Sequence, residues 1–302
     1  MTPPPLADLH RHLDGSLRRS TLESFAHEDG VVVPDPLCFS PGMGLERALA
    51  CFAFTLARLD RTDRLARVAH EVCQDANNDG VSTLEIRFGP HLHGELPAAD
   101  ALDAVLEGVG DRSSILLCGL YGDPPEAYEA LVDLAKTRPG VVGLDVAGAP
   151  QPGHSWGLRD YRSPMKRARD LGLGVTVHAG EGRPSEEIRT AIEVLGARRI
   201  GHGTTLLEDP ALVDLVRERG VTVEACITSN VHVGAIRDAE AHPLARWLAQ
   251  GVRACVCTDN TLFSDVTSSG EHALAQRLPG MTQALLNTAI DHGHEARFPR
   301  RA

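Results

Sequence analysis

His10 and His12 stand two apart in the run Leu9-His10-Arg11-His12-Leu13-Asp14-Gly15-Ser16, at the end of the first segment that reads as a strand. Side chains alternate along a strand, so both imidazoles point to one side, where a divalent metal can take both. Such pairs also occur in ordinary strands; what singles this one out is that His178, His202 and Asp259 each recur at the end of a later apolar run. Imidazoles with one carboxylate suit a borderline-soft, redox-inert cation that keeps a position for water, which points to zinc. Water bound to zinc falls from a pKa of 15.7 to roughly 7, giving hydroxide without a strong base. His202 and Asp259 are candidates to hold that water and remove its proton. Glu181, three residues after His178, is placed to face the substrate and donate a proton. Gly148 and Gly180 lack side chains, so backbone can approach a flat ligand closely.

The elements that must carry these residues follow from periodicity. Apolar runs over 6–13, 81–88, 113–120, 141–147, 173–178, 199–202, 221–227 and 252–258 alternate with helical-period segments, the pattern of βα units around a parallel sheet. Eight such runs in 302 residues predict a closed (β/α)8 TIM barrel, expected as one domain over 1–302. Between the first two strands, Leu65, Val68, Ala69, Val72 and Ala76 follow helical spacing, with Thr62 as the cap and Gly80 as the stop. Ser185 precedes a helix ended by Gly196, and Asp209 caps one ended by Gly220. A helical insertion after strand one carries Pro34, Pro36, Pro41, Gly42 and Gly44 before an apolar stretch from Ala48 to Leu56. It reads either as a cover for a pocket or as a structural hairpin. Extra helices are expected at the C-terminus, before a basic tail from Arg297 to Arg301. In such a barrel the active site gathers at the strand C-termini, where His10, His12, Asp145 to Gly148, His178 to Glu181, His202 and Asp259 all fall.

Composition narrows the function. A net charge of −11 disfavours nucleic acid as partner, and no apolar stretch is long enough to cross a bilayer. A small neutral or cationic substrate is the more natural partner; oligomeric state stays open. Met1 to Pro5 carries no basic segment followed by an apolar one, so the cytoplasm is the expected compartment. Seven cysteines without CxxC spacing argue against a disulfide framework or a Cys-built zinc site, and Cys118, Cys226, Cys255 and Cys257 read as small buried hydrophobes. Taken singly, His27, His70, His154, His242, His272, His292 and His294 read as surface or satisfied core residues.

In order along nearly the whole chain, the run from Leu9 to Ser16, His178-Ala179-Gly180-Glu181, Ile200-Gly201-His202-Gly203, Thr228-Ser229-Asn230 and Thr258-Asp259 resemble the motifs of the adenosine deaminase family, a (β/α)8 branch of the zinc amidohydrolases. The resemblance implies hydrolytic deamination of a 6-aminopurine nucleoside, with one Zn2+ per chain held by His10, His12, His178 and Asp259 and hydroxide attacking C6. It implies that Glu181 protonates the ring at N1, that His202 orients the hydroxide, that Asp14 contacts the ribose and that Gly148 binds the purine through its backbone. Many other zinc amidohydrolases bridge two metals with a modified lysine, but the only lysines, Lys136 and Lys166, fall in helical stretches, which predicts a mononuclear site.

Three positions depart from the family pattern. Asn260 stands where many members have a second aspartate reaching purine N7; an amide donates there directly, whereas an aspartate must first be protonated. Gly148 is followed by Ala149-Pro150 instead of an acidic pair, and His232 follows Asn230 closely enough to face the pocket. These departures leave open a larger or modified aminopurine nucleoside, such as aminodeoxyfutalosine or an N6-substituted adenosine. A wider amidohydrolase activity on a cyclic amide or aminated ring is a further alternative. A non-catalytic nucleoside binder would be missing a ligand or the acid, and neither is missing.

Overall fold

The computed structural model describes residues 4–301. Eight parallel strands pair in chain order: β1 (Leu6–His12), β2 (Val81–Phe88), β3 (Ser114–Leu120), β4 (Val141–Ala147), β5 (Gly174–Ala179), β6 (Arg199–His202), β7 (Thr222–Ala225) and β8 (Arg253–Val256). Parallel strands covered on both faces need continuous apolar character, and all seven residues of β4 are buried. The barrel closes between Arg11 and Asp259, where His12 N–H donates to the Asp259 carbonyl at 2.8 Å and Asp259 N–H donates to the His10 carbonyl at 2.8 Å. The same two bonds seat Asp259 beside both histidines of β1.

Helices α1 (Arg19–Glu28), α2 (Leu45–Leu56) and α3 (Thr62–Asn78) lie between β1 and β2. Helices α4 (Ala98–Val109), α5 (Pro125–Lys136), α6 (Arg162–Asp170), α7 (Glu186–Thr190) and α8 (Pro210–Glu218) each fill a later connection. The chain then forms α9 (Ile227–His232), α10 (Leu244–Ala249), α11 (Thr261–Ser264), α12 (Ser268–Gln276) and α13 (Gln283–Ala296). The expected stripe of α3 is buried, but Thr62 is its first helical residue and not its cap; Arg61 holds the cap position without a side-chain bond. Asp209 does cap α8, accepting from the N–H groups of Ala211 and Leu212 at 3.0 and 3.2 Å. Helices α3 and α4 approach closely because Gly108 has no Cβ, which would stand 2.3 Å from the Ala66 carbonyl oxygen.

Two strands end two residues before their apolar runs do. The run over 221–227 stops pairing at Ala225 because Ile227 already begins α9, and the run over 252–258 stops at Val256, three residues before Asp259 turns into the left-handed region at φ 63°. The insertion covers the strand ends: Phe52 of α2 meets the Phe263 ring edge-on at 4.9 Å, and Phe39 stacks on Phe263 at 5.0 Å. At the opposite end the C-terminal tail plugs the barrel, with Arg199 over the Phe298 ring at 3.8 Å and Phe298 N–H donating to Glu85 at 2.6 Å. Among the described residues, no helix is long and apolar enough to cross a membrane.

Candidate active site

The strand ends bring His10, His12, His178, His202 and Asp259 into one buried cage. His12 Nε2 lies 3.2 Å from His178 Nε2, and Asp259 Oδ1 lies 3.6 Å from His10 Nε2 and 3.5 Å from His12 Nε2. His10 Nε2 is buried with no hydrogen-bond partner. Ring nitrogens aimed at each other and at a carboxylate, one of them orphaned, form a donor set that fits a cation. Burial holds His10 and His12 well below the ordinary imidazole range, with Arg87 adding to it at His10, so both carry the lone pair a metal requires.

Two of the three ligand-type imidazoles are oriented from behind. Glu224 of β7 takes His10 Nδ1 at 2.7 Å, and Asp145 of β4 takes His178 Nδ1 at 3.1 Å, which leaves Nε2 of each ring facing the cage. At His178 burial works against the charge, but Asp145 outweighs it and the net shift is upward. Arg87 joins the two carboxylates, at 2.9 Å from Asp145 and 2.8 Å from Glu224, and Arg199 Nε lies 2.7 Å from the other Glu224 oxygen. All four of these charged groups are buried. Ser229 donates to Asp259 Oδ2 at 2.6 Å, and the Asn230 amide meets His202 Nδ1 at 2.9 Å.

Glu181 sits at the edge of the cage, Oε1 3.4 Å from His202 Nδ1, where burial pushes its carboxyl up to about 7. Burial likewise raises Asp259 to about 6 and Asp14 to about 7. His202 at φ 68° and Asp259 at φ 63° both adopt the left-handed region; only Asp265 does so among the other described non-glycine residues. Strain of this kind persists where surrounding bonds over-determine the backbone.

A small cavity over the cage is lined by His12, Phe52, Gly148, Glu181, His202 and Asn260 among others. It adjoins a cavity of about 350 Å3 that shares His12, Leu49, Phe52 and Gly148 and extends past Asp14 to Leu56, Leu92, Leu120 and Gln151. Asp14 Oδ1 and Asn260 Oδ1 are buried without partners. Gly15 makes room for Asn260, since a Cβ there would fall 1.9 Å from that oxygen. Gly148, at φ 73°, exposes backbone to both cavities. His232 lines neither; it lies edge-on to Phe39 at 6.5 Å. Of the histidines read as surface or satisfied core residues, His154 is exposed at the mouth of the larger cavity and His242 is buried against Asn230. Lys136 and Lys166 are exposed on α5 and α6.

Glu224, Arg87 and Arg199 were not among the residues singled out by sequence. The signal was a charged residue inside an otherwise apolar strand, as in Val221-Thr222-Val223-Glu224-Ala225.

Residues 5–299 match the family described as Adenosine deaminase. The adenosine deaminase of Serratia proteamaculans is 34% identical, over 97% of this chain and 94% of that protein. That of Vibrio parahaemolyticus is 33% identical, over 97% and 93%. Three solved structures share the fold. Adenine deaminase from Arthrobacter aurescens has a TM-score of 0.88 at 21% identity, over 98% of this chain and 94% of that one. Arabidopsis ADAL complexed with IMP has 0.87 at 24%, over 98% and 92%. An amidohydrolase from Burkhoderia ambifaria with bound Zn has 0.86 at 24%, over 98% and 86%.

Proposed function

The chain belongs to the adenosine deaminase family, hydrolases acting on C–N bonds, and from that premise we propose that it deaminates a 6-aminopurine nucleoside of the adenosine or deoxyadenosine type, giving the 6-oxopurine and ammonia. The observation that carries this reading is the cage itself: ligand-type atoms from β1, β5 and the turn after β8 converge with Glu181 and His202 at their edge and a ligand-sized cavity beside them. His10, His12, His178 and Asp259 would hold one Zn2+. When bound it supplies Lewis acidity, which brings water from a pKa of 15.7 to about 7.

The chain's own residues do the rest. Asp259, steadied by Ser229, takes the proton of the attacking water, and His202 orients that water toward C6. An aminated aromatic ring is a poor electrophile until a ring nitrogen is protonated, so Glu181 gives a proton to N1; a carboxyl raised to about 7 is still protonated in part at neutral pH. Asp259 then passes its proton to the amine, the C–N bond breaks and ammonia leaves, and the hydroxyl on C6 returns a proton to Glu181 as it becomes the 6-oxo group. Gly148 offers backbone to the purine, the Asn260 amide donates to it, and Asp14, with its unpartnered oxygen, takes a ribose hydroxyl. The ADAL structure is complexed with IMP, a nucleotide. Here the residues described around the two cavities include no lysine or arginine, and Asp14 faces the space instead, which supports a nucleoside over a phosphorylated substrate.

The test is release of ammonia by zinc-loaded protein from adenosine, 2′-deoxyadenosine, adenine, AMP and aminodeoxyfutalosine, and of methylamine from N6-methyl-AMP. Nucleosides are expected to turn over and AMP to lag, and Glu181→Gln should lower kcat by roughly 10²–10⁴-fold. No turnover of any aminopurine, or an active Glu181→Gln, would overturn the reading.

A further inference from the structure

We propose that Asn230 and His242 act as positioning residues that fix the tautomer of His202, so that its ring carries the proton on Nε2 and presents an N–H, not a lone pair, to the cage. This rests on the reading that His202 serves the reaction.

The argument starts one layer behind the cage and runs inward. Leu244 N–H belongs to the first turn of α10, where no carbonyl of its own helix can reach it. It donates instead to His242 Nδ1 at 3.2 Å. His242 is buried, beside the positive end of that helix and edge-on to Trp247 at 5.5 Å; burial, with Arg246 adding to it, pushes the imidazole down to about 3, so the ring is neutral. A neutral imidazole has one acceptor and one donor nitrogen. With Nδ1 accepting, the proton is on Nε2, which lies 3.3 Å from Asn230 Oδ1.

That settles the amide. Oxygen and nitrogen of an asparagine are told apart by their partners, and a donor on one side requires Oδ1 there. Nδ2 therefore faces His202 Nδ1 at 2.9 Å and donates to it. An N–H cannot meet an N–H, so His202 Nδ1 holds a lone pair and the proton of the neutral ring sits on Nε2, the nitrogen left for the cage. One backbone N–H thus sets the direction of three successive hydrogen bonds. His202 then holds the attacking oxygen by donating to it, and proton removal falls to Asp259. The Glu181 oxygen 3.4 Å from the same Nδ1 meets a lone pair, which suits the protonated acid.

The direct test is the side-chain 1H–15N correlation spectrum of zinc-loaded protein labelled at histidine nitrogen, with His202 identified by its loss in His202→Gln. A bare Nδ1 and protonated Nε2 are expected; a protonated Nδ1 overturns the proposal. Asn230→Asp replaces the donor by an acceptor of nearly the same shape and drives the ring to the other tautomer. It should lower kcat at least about tenfold with KM within about twofold and metal content unchanged. His242→Gln keeps a donor for Asn230 and should retain kcat within about threefold, whereas His242→Leu should not. Full kcat in Asn230→Asp, or a His242→Leu equal to wild type, overturns the assignment. The spectrum decides even where a variant fails to fold. It needs no substrate, so an error about the nucleoside leaves it untouched.

Discussion

Around the cage four side chains at the strand ends or the turns just beyond them are each held by a second buried group: His10 by Glu224, His178 by Asp145, Asp259 by Ser229, His202 by Asn230. Along the larger cavity the apolar walls are Leu49, Phe52 and Leu56 on the inserted helix α2, facing Leu92 just beyond β2 and Leu120 at the end of β3. Hydrogen bonds fix angles and protonation states, while apolar packing fixes only volume. On the proposed function, the barrel carries the reaction and the insertion carries the fit to whatever is attached to the purine. Substitutions that separate the two, affecting chemistry or metal at one end and recognition at the other, would sharpen that division, and any that mix them would break it.

Of the substitutions that separate the two regions, the largest effect is expected behind the cage. Glu224→Gln can still accept from His10 Nδ1 but loses the charge that faces Arg87 and Arg199. Removing such a partner of a metal ligand typically costs about 10–100-fold in metal affinity. Competition with a chelator should show Zn2+ held that much more weakly, with a nucleoside KM close to wild type once metal is restored. Unchanged affinity would mean that the cage is set by the strands alone.

This layered construction also explains what the sequence disclosed. Residues at strand ends were legible because a polar residue closing an apolar run is conspicuous, and His10 and His12 carry their own parity. Glu224 closes nothing; its partners lie on β1, β2, β5 and β6, and pairing across four strands depends on registers that a linear reading does not contain. Asn230 was visible as part of a motif, yet its direction depends on His242 and Leu244, which reach it only through folding. The insertion was legible as punctuation and apolar content. Its place over the cavity is decided by Phe39, Phe52 and Phe263, three rings far apart in the chain.

The wall supplies the next effect. Phe52 contacts Phe39 and Phe263 and reaches within 6.2 Å of the His12 ring, centre to centre. Phe52→Ala removes apolar area from the wall of both cavities and should raise the KM for the proposed nucleoside roughly tenfold, a loss of ~1.4 kcal/mol of uniform binding. With kcat within about threefold and metal content intact, the division stands. A kcat that falls in step with kcat/KM would instead place the wall in the chemistry.

The smallest effect tests whether the support of the cage reaches a further layer out. Glu271 of α12 is buried and accepts from both the N–H and the hydroxyl of Thr228, at the start of the helix that brings Ser229 and Asn230 to the cage. Burial raises its carboxyl from 4.5 to about 7. A folded-state value above the unfolded one contributes stability that is complete below the unfolded value and lost as pH rises through about 7. Glu271→Gln has no such proton to lose. In thermal unfolding of metal-loaded protein it should match wild type near pH 5 and exceed it near pH 8, by ~1–3 kcal/mol at most. An equal pH 5 to pH 8 difference in both proteins would mean that Glu271 ionises freely, and would confine the ordered polar support to the groups that touch the cage itself.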